Sequence, residues 1–283
     1  MENEPRELEI NLPHLTLAAL EWGRPDRPLL LALHGWMDNA ASFRPLAPYL
    51  DGYRLVAVDM AGHGRSEHRP AGVPYDLPGY MADILAVMDC LDAGKATLIG
   101  HSMGAALASF VAATFPERVG RLVLLEGLAP LSEPPAKAPG RLRKAVRRMG
   151  RAPAQSATAY PDVGAAVKAR ARRGAMSERA AAHLVRRGTA AGPGGIRWRS
   201  DLRAAEPSPF YLTQEQVLAF LGSIECPAFL IKGEAGLLAA RPEKSAVRER
   251  AGPNLEGVEV AGGPHLHMET PGEVARHVCR FLR

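Results

Sequence analysis

Cysteine is nearly absent: Cys90, Cys226 and Cys279 are the only three in 283 residues, far apart and odd in number. Such usage excludes a disulfide scaffold and a close-spaced metal knuckle, and it predicts reduced, mostly buried thiols in a cytosolic chain. Long apolar runs are also missing. Nothing approaches the roughly 20 consecutive apolar residues of a bilayer span, and the start MENEPRELEI has neither the basic nor the apolar region of a secretory signal. Acidic residues are scarce in one stretch. Residues 137–203 carry 17 Lys and Arg against 3 Asp and Glu, a net of +14, while the remainder carries 18 against 27, a net of −9. The overall +5 therefore comes from one segment with a surface of its own. Aromatics are few, at 6%, and form no stacking pattern among these arginines, so no nucleic-acid partner is expected.

What is present is enough apolar material, 47% of the chain, for one large core or a core with a small inserted domain. Strand-like runs recur at LELEINL, LTLAALEW, PLLLALHG, YRLVAVDM, ATLIG, VGRLVLLEG, PAFLIKG and GVEVAG. Helical patterns separate most of them: ASFRPLAPYL, YDLPGYMADILAVMDCL, MGAALASFVAATF, RPEKSAVRERA and PGEVARHVCRFL. This alternation predicts an α/β fold with a mostly parallel sheet covered by helices on both faces. The first two runs, joined by a short turn containing Pro13, read as an antiparallel hairpin at one edge. After the sixth strand the alternation breaks. Helical stretches such as GRLRKAVRRM and SERAAAHLVRRG replace it, without a central strand. The expected organisation is a core of residues 1–128 and 213–283 with a helical cap at 129–212.

The junction KATLIGHSMGAALASFV, residues 95–111, carries the chemistry. Gly100, His101, Ser102, Met103 and Gly104 lie where a buried strand meets a helix, and a sharp turn there pushes the serine out at the carboxyl edge of the sheet. Glycines flank it because strand and helix backbones approach too closely for a side chain. A serine hydroxyl is a weak nucleophile near neutral pH and needs a base, which in turn needs a group to fix its tautomer. The loop GPHLHME after the last strand holds two of the nine histidines, His265 and His267. His265, nearer the strand end, is the preferred base, with His267 expected to pack beneath the loop.

The chain resembles the α/β-hydrolase superfamily and, within it, the serine hydrolase-like proteins. The resemblance rests on HGWMDNAASF at 34–43, DMAGHGRS at 59–66, GHSMGA at 100–105, LLEGLAP at 124–130, PSPFYLTQEQVLAFL at 207–221 and the late histidine loop. It implies an oxyanion hole from the backbone N–H groups of Trp36 and Met103. Two departures stand out. The acid commonly found three residues after the glycine ending the seventh strand is replaced by Gly236, so the orienting role passes to Glu126 at the end of the sixth strand, with Glu234 second. The base commonly stands seven residues before the proline opening the last helix, and that slot holds Pro264, one residue ahead of His265.

Other polar residues in these motifs read as structural. His34, His63 and His101 are expected to lock loops, and Asp59 to tie down the turn after its strand, supported by Arg65 and Ser66. Serine at the nucleophile position argues against epoxide hydrolase or dehalogenase chemistry, which needs a carboxylate nucleophile. The basic cap reads either as a solvated surface or as a recognition field for an anionic ester. Trp198, Phe210 and Tyr211 line a pocket or form the cap's own small core. The combined expectation is hydrolysis of a small-molecule carboxylic ester through an acyl-serine, with no cofactor, metal or membrane span. A non-catalytic binding protein, and a thioesterase or acyltransferase using the same site, are the alternatives.

Overall fold

A computed structural model describes residues 4–149, 158–192 and 194–283. The chain opens with β1 (Arg6–Asn11), β2 (Thr16–Trp22), β3 (Leu29–Leu33) and β4 (Arg54–Val58), then α1 (Leu77–Cys90), β5 (Ala96–His101), α2 (Met103–Thr114) and β6 (Val119–Leu125). The segment expected to form the cap contributes α3 (Ala138–Met149), α4 (Val163–Gly174), α5 (Glu178–Gly188) and a ribbon of β7 (Thr189–Gly192) with β8 (Gly195–Trp198). The core resumes with α6 (Gln214–Gly222), β9 (Ala228–Gly233), α7 (Pro242–Ala251), β10 (Leu255–Val260), α8 (Leu266–Glu269) and α9 (Pro271–Leu282).

All eight strand-like runs enter one sheet of order β1-β2-β4-β3-β5-β6-β9-β10. The β1–β2 and β2–β4 pairs are antiparallel and the others parallel, which puts the expected hairpin at one edge. Alternate residues feed the two faces. In β4, Val56 and Val58 join the core under α1 and α2, while Leu55 and Ala57 join the core under α9. Both faces being covered explains why the parallel strands are apolar throughout.

Two local expectations need correction. The run ASFRPLAPYL forms two short 3₁₀ turns, Ala40–Phe43 and Ala47–Tyr49, instead of an α-helix. Pro45 and Pro48 each remove a backbone donor there. The cap also contains the β7–β8 ribbon, four residue pairs from Thr189–Trp198 to Gly192–Gly195, separate from the main sheet.

The strand order dictates where a site lies. From β3 the chain moves outward to β4, then returns to the other side of β3 to lay down β5. The carboxyl ends of β3 and β5 therefore flank a topological switch point, the crevice where open α/β sheets bind ligands. Leu33 pairs with Gly100 across it, so the segments after Leu33 and after Gly100 leave the sheet side by side.

Candidate active site

Ser102 stands between β5 and α2 with φ 50° and ψ −108°. This left-handed strain in a non-glycine residue persists only when its surroundings over-determine it. They do so here: the Ser102 N–H donates to the Leu125 carbonyl at 2.9 Å and its carbonyl accepts from Ala106 N–H at 3.1 Å. At Gly104 a Cβ would lie 2.0 Å from the Leu33 carbonyl oxygen, and at Gly100 one would lie 2.4 Å from the Ala105 nitrogen. Helix α2 is thus pressed against the ends of β3 and β5. The Ser102 hydroxyl makes no hydrogen bond among the described residues.

Trp36 follows the His34–Gly35 pair beyond β3, and Met103 opens α2, where the first N–H groups have no helical acceptor. The Trp36 indole donates to the Ala204 carbonyl at 3.0 Å and so ties this loop to the cap.

His265 precedes α8 in the loop after β10 and is nearly buried. Its Nε2 is 3.6 Å from Asp38 Oδ2, while its Nδ1 has no partner among the described residues. Asp38 is fully buried and also pairs with Arg170 of α4. Burial pushes the Asp38 carboxyl up, but His265, Arg170 and His101 outweigh it and hold it well below the usual carboxylate range. The His101 Nε2–H donates to the Pro264 carbonyl at 2.8 Å, and its Nδ1 lies 3.7 Å from Asp38 Oδ2. His267 is fully buried between Phe43 and His101, ring centroids 5.5 and 4.3 Å away, with neither nitrogen hydrogen-bonded among the described residues.

The structure does not bring Glu126 to His265. Glu126 has φ 52°, which turns its side chain toward the end of β9, where the carboxylate accepts from the Gly233 and Leu237 N–H groups. A Cβ on residue 236 would lie 2.1 Å from Glu126 Oε2. Glu126 thus fills the space that a side chain at Gly236 would need, yet its hydrogen bonds go to backbone and not to the imidazole. Burial raises its pKa against the pull of those amides. Glu234, the second choice for the acid, is exposed. The carboxylate facing His265 is Asp38. It lies inside HGWMDNAASF but was not singled out, because no spacing rule connects it to a histidine more than two hundred residues later. Arg170 had no signal beyond belonging to a basic segment.

The other motif residues lock loops. His34 Nδ1–H donates to the Gly35 carbonyl at 2.7 Å and its Nε2 accepts from Met60 N–H at 3.0 Å. The His63 Nδ1–H donates to the Ala61 carbonyl. Asp59 accepts from the N–H groups of Ala40 and Arg65, both at 2.7 Å, and Ser66 donates to its carbonyl. Asp59 also receives Arg187 of α5 at 2.9 Å. Burial holds His34, His63 and His101 down at about 4, and His267 well below its ordinary value.

The cap is fastened by its arginines. Arg170 and Arg187 reach the buried carboxylates Asp38 and Asp59, and Arg203 bonds the Arg69 and Pro70 carbonyls. Asn39 adds a bond to the Leu184 carbonyl at 2.9 Å. Trp198 packs with Tyr160, Val167 and Val185 in the cap's own core, Tyr211 lies under Arg141, and Phe210 is exposed. Among the described residues no cluster of His, Cys, Asp and Glu is arranged to hold a metal ion, and no helix is long and apolar enough to cross a membrane.

A strained serine at a strand-to-helix turn, at the switch point of a mostly parallel sheet covered on both faces, defines an α/β hydrolase. Residues 28–271 match the family described as the alpha/beta hydrolase fold, and the chain belongs to it. It is 32% identical to a probable serine hydrolase of Drosophila melanogaster, over 100% of this chain and 89% of that protein. A solved structure of a hypothetical protein from Pseudomonas aeruginosa PAO1 superposes with TM-score 0.92 at 42% identity, covering 98% of this chain and 97% of that one. The thioesterase domain from the curacin biosynthetic pathway superposes with TM-score 0.87 at 28% identity, covering 97% and 99%.

Proposed function

We propose that this hydrolase-family chain cleaves a carboxylic ester through an acyl-serine intermediate. The observation that carries the reading is Ser102 itself: φ 50°, wedged by glycine contacts, and with a hydroxyl committed to no other group. A residue held in strain with its reactive atom left free is arranged for chemistry and not for packing. In the first step Ser102 Oγ attacks the substrate carbonyl carbon while His265 takes the hydroxyl proton. The Trp36 and Met103 N–H groups receive the oxyanion, an interaction worth roughly 3–4 kcal/mol per donor at such sites. The tetrahedral adduct expels the alcohol, which takes the proton from His265. Water then repeats the sequence on the acyl-serine, releasing the acid and restoring the hydroxyl. Asp38 is the carboxylate that stabilises the imidazolium, and Glu126 organises the β9 loop. Base and nucleophile are not hydrogen-bonded here, as is common before substrate closes a site. A thioester would follow the same steps, and a relative bearing the name thioesterase favours including it.

A second reading, a binding protein on a hydrolase scaffold, is favoured by Pro264 in the usual base position and by the unpartnered His265 Nδ1. Intact mass after brief exposure to a fluorophosphonate separates the two. An adduct that is lost in Ser102→Ala, slowed strongly by His265→Ala and little by His267→Ala is expected. No adduct, under conditions that fully label a known serine esterase, replaces catalysis by binding. Turnover of aryl esters against matched thioesters then fixes the substrate class.

A further inference from the structure

Part of the cap's positive charge is structural. Arg170, Arg187 and Arg203 are engaged with carboxylates or carbonyls that hold the cap in place. Helix α3 holds a different set. From Lys137 to Arg148 there are six basic residues and no acidic one. Arg141 pairs with Glu133, and Arg148 with Glu206 at 2.6 Å. The side chains of Arg143, Lys144 and Arg147 have no hydrogen bond or ion pair among the described residues.

The same helix carries an apolar stripe. Ala138, Leu142, Val146 and Met149 recur at helical spacing on one arc of roughly a quarter turn. None is buried in the protein: Leu142 is 36% exposed, Val146 58% and Met149 54%. Arg143, Lys144 and Arg147 occupy the opposite arc. A short helix with a bare apolar stripe and a wholly cationic polar face suits a surface that is apolar inside and anionic at its rim.

We propose that α3 is a docking helix for anionic lipid, lying in the headgroup plane with Leu142, Val146 and Met149 inserted. Arg143, Lys144 and Arg147 extend their flexible stems to the headgroup phosphates. Charge complementarity selects this occupant: the run from Lys137 to Arg148 carries six basic residues and no acidic one, and an anionic surface is its electrostatic complement. A cleft of about 500 Å³ beside the helix is lined by Lys137, Arg141, Lys144 and Arg148 together with Glu133. This role is independent of the serine chemistry.

Co-sedimentation with vesicles tests it, using the full chain and two triple variants of exposed residues: Leu142→Ser with Val146→Ser and Met149→Ser, and Arg143→Gln with Lys144→Gln and Arg147→Gln. Circular dichroism and thermal melts check that each variant is folded. Binding is expected to vesicles of equal parts phosphatidylcholine and phosphatidylglycerol, falling with salt. The charge variant should weaken it by about 100-fold and the apolar variant by at least about 10-fold. Absence of binding to the mixed vesicles overturns the proposal, as does equal binding to pure phosphatidylcholine or binding that neither variant changes. Concentration-dependent dimerisation abolished by the apolar variant overturns it in favour of a second copy.

Discussion

Ser102 and His265 are held at the same edge of the sheet by opposite means. The serine is fixed by shape: glycine backbones, a strained φ and two main-chain hydrogen bonds. His265 is held by charge. Its loop is held through the Pro264 carbonyl by His101, and its imidazole faces a buried aspartate that a cap arginine neutralises. Shape needs only the backbones of β3, β5, β6 and α2. Charge depends on residues from β3, β5, the cap and the last loop together.

The largest effect expected from this contrast is structural. Gly104→Ala places a methyl 2.0 Å from the Leu33 carbonyl oxygen, with no flexible side chain to yield. It should cost more than about 4 kcal/mol in urea unfolding. A loss under about 1 kcal/mol would mean that the turn relaxes and shape does not fix the serine.

Next come the two carboxylates. Asp38→Asn should lower kcat/KM on the order of 10³-fold, because the imidazolium loses its counter-charge. Glu126→Gln should change kcat/KM less than about 10-fold while costing about 1–3 kcal/mol of stability, since an amide cannot accept from both the Gly233 and Leu237 N–H groups. Reversed results would return the orienting role to Glu126.

Acid should dissolve the charge-held side first. His34, His63 and His101 are kept neutral by burial down to about 4. The unfolded chain binds protons at these histidines from about 6.5 downward. Since the folded values lie below the unfolded ones, their contribution to stability is complete above about 6.5 and is lost as pH falls from there through about 4. Thermal melts should drop steeply across that window. A flat profile would show that these rings take up protons without loss of the fold.

The smallest effect concerns His267, buried with both ring nitrogens unpaired. His267→Leu should leave the melting temperature unchanged or a few degrees higher at neutral pH, because replacing an unsatisfied buried polar group by an apolar one is near neutral. It should also flatten the acid slope. A large loss of labelling by fluorophosphonate in this variant would instead make His267 the working base.

The same division explains what could be read from the sequence. All eight sheet strands, the edge hairpin and the serine turn were legible, because alternation, glycine placement and strand-to-helix succession are short-range signals. The removal of Glu126 to the backbone of β9 was not, since its direction is set by one positive φ in the fold. Asp38 sat in view within a motif, but its partners His265 and Arg170 come from distant segments that only the folded chain joins. The proline-interrupted turns at 40–49 and the β7–β8 ribbon were missed for simpler reasons, the one reading as helix by composition and the other too short to register.

The bridge between Ser132 and Leu212 closes the neck of the cap between neighbouring strands β6 and β9. A neck so narrow suggests a unit that could be cut out and exchanged among relatives. Arg170 and Arg187 forbid a free exchange. Removing the cap would leave the buried carboxylates of Asp38 and Asp59 without their arginine partners, so any graft must supply cations at both points or arrive with those two aspartates already replaced.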